Sequence, residues 1–173
     1  MEKDFHFYGT AVLARAAGFT AADALTIAYA AQYVDDANED HNFKLTLGGK
    51  HLEFVPHNTS HNITQGAASA LVYNEALANP VWIPFHFPPG GEAGHPMVTK
   101  KNCPLANLLL EEAMDEKDRH MKLIRLGVAA HTFADSWAHE GFSGRLEKSN
   151  DVDCLHCYYR GERKWVPVPL PNM

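Results

Sequence analysis

The sequence predicts an all-α protein, a compact helical bundle of about five helices that carries a long ordered loop and an extended C-terminal arm. Three observations predict it. Apolar residues recur at helical spacing in several segments, those segments are bounded by cap and breaker residues, and only one short stretch offers a hairpin instead. With 173 residues, of which 46% are hydrophobic, the chain can bury one sizeable core and is too short for two. Residues 1–150 read as the helical domain and 151–173 as an arm of the same domain.

Residues 5–17 form the first expected helix, with Phe5, Tyr8, Val12, Leu13 and Ala16 roughly on one side and Gly18 as its stop. Thr20, followed three residues later by Asp23, resembles a capping pattern and starts the second, A-D-A-L-T-I-A-Y-A-A-Q-Y-V-D-D, whose alanines permit close packing. The stretch K-L-T-L-G-G-K-H-L-E-F-V reads equally as a small hairpin or a loop. Residues 59–78 make a third helix, closed by Asn79-Pro80. From Val81 to Pro104 the composition turns to aromatics, Pro and Gly, which marks an ordered loop whose rings want burial. Pro104 opens a helix running to about Met114, and a longer one follows from about Glu116 to His139, stopped by Gly141. Three prolines near the end exclude a regular helix there.

Composition narrows the function. The net charge of -6, from 15 Lys and Arg against 21 Asp and Glu, leaves no broad basic surface for duplex nucleic acid. A phosphate-bearing substrate stays open, because bound divalent cations reverse the potential of an acidic pocket. No apolar run is long enough for a membrane span, and the opening M-E-K-D-F-H lacks the apolar stretch of a signal peptide, so a cytoplasmic location is expected. Three cysteines are too few for a disulfide framework. Cys154-Leu-His-Cys157 offers half of the ligands of a structural zinc knot, which Cys103 with His156 or another histidine would complete, the alternative being free thiols.

The richest segment is His131-Thr-Phe-Ala-Asp135-Ser-Trp-Ala-His139, in which a spacing of four stacks two imidazoles and a carboxylate along one helix face. An ionised Asp among Val128, Phe133 and Trp137 needs a strong partner if buried. The alternative is that the histidines are hydrogen-bonded core or rim residues and Asp135 makes a local ion pair. A metal site needs ligands from more than one helix. Antiparallel packing of the first two helices across the short connection at residues 18–20 brings His6 near the Asp35-Asp36 pair, of which one is expected as a ligand and the other as its orienting neighbour. If the long helix ends on the same side, the metal set becomes His6, Asp35 or Asp36, His131, Asp135 and His139, with His86 in I-P-F-H-F-P-P as a further ligand or proton relay. Asp4 is either another acceptor there or a cap of the first turn, and His57 and His61 are weaker candidates. Abundant imidazole favours Zn, Mn, Fe or Ni over magnesium without choosing among them, and Zn is the first expectation. There is no Gly-rich phosphate loop, G-x-S-x-G elbow or H-E-x-x-H.

The motifs D-F-H-F-Y-G-T (residues 4–10), Q-Y-V-D-D-A (32–37), I-P-F-H-F (83–87) and H-T-F-A-D-S-W-A-H-E-G-F-S-G (131–144) resemble those of an uncharacterised bacterial family with a domain of unknown function. More loosely, the chain is similar to the all-helical zinc-dependent phospholipase C and P1 nuclease superfamily. That second resemblance implies that His131 and Asp135, and His139 beside them, bind zinc in a phosphoesterase. Two departures stand against it: those enzymes use a mature N-terminal amine as a ligand, and their full ligand series is not recognisable here. The expectation is a metal-dependent hydrolase acting on a small-molecule or lipid phosphoester, with Asp35, His86 and His139 moving protons or stabilising charge. Its rivals are a non-catalytic metal-binding scaffold and a partner-binding module that self-associates through the C-terminal arm.

Overall fold

A computed structural model describes residues 3–38, 42–60, 78–145, 150, 155–159 and 164–168. The chain is an all-α, compact bundle of about five helices. A π-helical turn, Asp4–Gly9, runs directly into α1 (Thr10–Ala16), the Thr10 N–H bonding back to the carbonyl of Phe5, five residues earlier. α2 (Ala21–Asp36) follows, then β1 (Phe43–Leu47) and β2 (Lys50–Phe54). A second π-helical turn, Ala78–Trp82, leads into the short α3 (Ile83–Phe85), and α4 (Pro104–Asp115) and α5 (Arg119–Ala138) complete the bundle. β3 (Leu155–Tyr159) and β4 (Lys164–Val168) come last.

Local chemistry sets the boundaries. Thr20 caps α2, its Oγ1 accepting from the Asp23 N–H at 3.2 Å, and Asp118 caps α5 through the Met121 N–H at 2.8 Å. Replacing Asp118 by Ala is expected to cost about 1 kcal/mol, read as a lower thermal midpoint. Gly48 and Gly49 both take positive φ, at 57° and 78°, as the tight turn between two paired strands requires, so the G-G segment is an antiparallel hairpin. The C-terminal segment is extended as its prolines dictate, and it too pairs with itself, Leu155 opposite Val168 and Cys157 opposite Val166. The expected third helix over 59–78 falls almost wholly outside the described residues, as does Cys154. The Val81 to Pro104 segment differs from the expected loop at its start, where aromatic burial is met by the π-turn and α3 instead.

α2 and α5 form the spine and come very close. A Cβ on Gly127 would stand 2.3 Å from the Ile27 carbonyl oxygen and 2.6 Å from Ala30 Cβ, so only glycine there, facing the alanines of α2, allows this approach. The apolar core, Ala14, Ala24, Ile27, Ala113, Leu123, Leu126 and Ala129, draws on the earlier turns of both α2 and α5, together with α1 and α4. The later turns of α2 and α5 carry polar buried groups instead, among them Gln32, His131, Asp135 and Ser136. No helix among the described residues is long and apolar enough to cross a membrane.

Candidate metal centre

Four segments converge at that polar end. The first π-turn contributes His6, α2 contributes Asp35, the residue after α3 is His86, and α5 contributes His131 and Asp135. His6, His131 and Asp135 are fully buried, His86 nearly so, and Asp35 keeps 29% of its side chain exposed. The short turn between α1 and α2 does bring His6 to Asp35, Nε2 to Oδ2 3.8 Å. Asp135 lies among three imidazoles: His6 Nε2 at 3.2 Å from Oδ1, His86 Nδ1 at 3.1 Å and His131 Nε2 at 3.2 Å from Oδ2.

Backbone carbonyls fix which nitrogens face inward. A carbonyl only accepts, so His131 Nδ1–H donates to Ala31 O at 2.8 Å and His86 Nε2–H donates to Thr59 O at 2.7 Å. Thr59 is itself pinned to the end of α2, its N–H to Ala37 O and its hydroxyl to Val34 O. The remaining nitrogens, His131 Nε2 and His86 Nδ1, therefore face each other at 3.2 Å with Asp135 Oδ2 beside both. Two lone pairs and a carboxylate oxygen at that separation repel, and a proton or a cation must lie among them. His6 sharpens the point: it is wholly buried, its Nδ1 has no hydrogen-bond partner among the described residues, and its Nε2 faces only the carboxylates of Asp135 and Asp35. Fixing each inward nitrogen through the opposite one is how proteins orient imidazole ligands.

The protonation states suit a cation. Burial holds His131 below the usual imidazole range, which leaves it neutral. Burial pushes the Asp135 carboxyl up, but the surrounding imidazoles of His131, His139, His6 and His86 outweigh it and hold the group far below the usual carboxylate range. Neutral imidazole and ionised carboxylate are the forms that ligate. Two groups, His6 with Asp35 and His131, and His86 with His131 and Asp135, bring their ligand atoms within 4.8 Å of one another.

The other expected site residues are placed as follows. Asp36 is exposed and accepts from Gln32 Nε2 at 3.2 Å, so Asp35 alone of the pair reaches the cluster. His139 caps the end of α5, 30% exposed, its Nε2 3.6 Å from Asp135 Oδ2 and its ring stacked on Phe87 at 4.5 Å. Asp4 is exposed and accepts from the neighbouring Phe5 N–H, and His57 is exposed against Phe85. His61 lies outside the described residues. Cys103 is buried, with its Sγ 3.9 Å from Pro88 O, and Cys154 lies outside the described residues. Two contributors escaped sequence reasoning, the carbonyls of Ala31 and Thr59, for backbone acceptors leave no residue-type signal. An apolar cavity of about 540 Å³, walled by Leu13, Phe19, Ile27, Leu126, Phe133 and Trp137, includes none of the cluster's residues.

Residues 1–172 match a family described as a family of unknown function, DUF6765. No curated protein and no solved structure matches the chain.

Proposed function

The chain belongs to the DUF6765 family, whose description leaves the chemistry to be read from the site, and we propose that the protein is a metal-dependent hydrolase. The observation that carries this reading is the facing pair His86 Nδ1 and His131 Nε2, each oriented by a backbone carbonyl and both directed at an ionised, buried carboxylate. His131, Asp135, His86, Asp35 and His6 are the residues that would hold divalent metal, which would supply Lewis acidity and lower the pKa of a coordinated water. Zinc, manganese, iron and nickel fit a donor set this rich in imidazole.

The chain's own groups divide the remaining work. His86 has both nitrogens committed, one to Thr59 O and the other to the cluster, so it serves better as a ligand than as a proton relay. Asp35 and His139 are the partly exposed members. They form the edge through which a substrate and water reach the cluster, and His139 Nε2 is the group suited to accept or return a proton there. A phosphoester is the substrate class we favour, since a cation-bearing pocket of this kind stabilises charge on phosphoryl oxygens. The fully buried His6, His131 and Asp135 also suit a closed, non-catalytic metal site, and an exchangeable water position at the Asp35 edge distinguishes the two.

The test is hydrolysis of bis(p-nitrophenyl) phosphate by metal-loaded protein, by protein treated with chelator, and by His131→Ala. Turnover that needs the metal and vanishes in the variant supports the reading; metal-loaded protein that shows no turnover on this or other phosphoesters leaves the scaffold reading in its place. A milder outcome is expected for His139→Gln: metal content unchanged, with turnover lowered by about 10²–10⁴-fold, the range of a lost general acid or base.

A further inference from the structure

The ring planes of the histidines decide how many cations the cluster takes, a question that rests on the metal reading above. We infer that it is a dinuclear centre, in which Asp35 and Asp135 bridge two divalent cations, one held by His86 and His131 and the other by His6.

An imidazole lone pair lies in its ring plane, so a ligated cation sits in that plane about 2.1 Å from the nitrogen. The His6 and His131 rings are stacked, their centroids 3.8 Å apart and their planes inclined by only 20°. Planes so nearly parallel do not meet within a bond length of both nitrogens. One cation cannot serve both rings, although their ligand atoms lie close together. His86 and His131 are the opposite case: their planes stand at 81° and their inward nitrogens are 3.2 Å apart, so one cation in the angle between them meets both lone pairs.

The carboxylates divide along the same line. Asp135 presents Oδ1 to His6 at 3.2 Å and Oδ2 to His86 and His131 at 3.1 and 3.2 Å. Asp35, from a different helix, presents Oδ2 to His6 at 3.8 Å and Oδ1 to His86 and His131 at 3.7 and 3.8 Å. Two independent carboxylates thus sort the three imidazoles into the same two sets, each giving one oxygen to each set. Paired cations in hydrolytic centres lie about 3.5–4 Å apart, a spacing that matches the stack of the two rings. The sides are unequal. The His86 and His131 side has two imidazoles and two carboxylate oxygens, whereas the His6 side has one imidazole and two oxygens. The second cation is therefore the weaker-bound.

Metal-free full-length protein titrated with Mn²⁺, followed by calorimetry, by metal analysis after gel filtration and by low-temperature electron paramagnetic resonance, tests this. The expected result is two equivalents, the second weaker, with the resonance changing from an isolated-ion signal to an exchange-coupled one as the second site fills. His6→Ala is expected to keep one equivalent and to lose the coupled signal; should that variant misfold, the wild-type stoichiometry and spectrum decide alone. Saturation at one equivalent overturns the inference while leaving a metal protein, as does a His6→Ala variant that retains two equivalents or retains none while folded. Wild-type protein that takes up no Mn²⁺, Zn²⁺, Fe²⁺ or Ni²⁺ overturns the metal reading itself.

Discussion

Asp135→Asn is expected to lose bound metal while keeping its fold. The substitution keeps the shape of the side chain, removes the charge, and turns one oxygen into an amide whose hydrogens face the inward nitrogens of His86 and His131. Those nitrogens then have donors in place of a cation. Changes to groups that merely orient a ligand cost about 10–100-fold in metal affinity, and Asp135 touches every imidazole of the cluster, so the loss is expected to reach or exceed the top of that range. Metal analysis per chain reads it directly. The thermal midpoint separates the reading from its rival. If the cluster holds only shared protons, removing the one buried anion strands a buried positive charge at a cost of about 3–5 kcal/mol, with or without chelator. If it holds metal, chelator lowers the midpoint of the wild type and leaves that of Asp135→Asn unmoved, because ligand binding stabilises only the protein that can bind.

Gly127→Ala is expected to be the most damaging change outside the cluster. In an ordinary helix interior the substitution would stabilise by about 0.8–1.0 kcal/mol. Here the new methyl would sit 2.3 Å from Ile27 O and 2.9 Å from Ala31 N, atoms of a helix backbone that cannot turn aside. α2 and α5 must part, at a cost at or above the upper end of the roughly 1–3 kcal/mol typical of overpacking. The loss extends to the site. Gly127 lies one turn before His131, whose ring is oriented by Ala31 O on the facing helix, so parting the helices removes that acceptor. Denaturant unfolding and metal titration of the variant are expected to fall together, with saturating metal restoring part of the stability.

The sequence was most legible where side-chain type and spacing carry the information. The i, i+4 step from His131 to Asp135, the short connection that folds α1 back along α2, and a lone imidazole set among Phe and Pro at His86 all point to groups that the structure brings within 4 Å of one another. The choice between Asp35 and Asp36 was not legible, because successive helical residues differ by about 100° and nothing in the pair says which faces α5. Nor was Gly127, which reads as a flaw in a helix until the partner's carbonyl is placed against it. The Gly-Gly pair marked a turn, because positive φ has a residue preference, but left hairpin and loop equally open, and the pairing of β3 with β4 had no comparable mark in a proline-rich stretch.

The π-helical turn at Asp4–Gly9 makes the number of residues in that stretch a determinant of the site. The turn accommodates one residue more than an α-helix would across the same rise, and His6 lies within it. Shortening the segment by one residue between His6 and Thr10 would change the bearing of His6 relative to α1, since each helical residue carries about 100° of rotation. A chain that kept every histidine and aspartate of the cluster, but lacked that one residue, would aim His6 away from Asp35 and Asp135. Ligand identity alone is therefore an incomplete signature of this centre, and the spacing from His6 to Thr10 belongs to it as well.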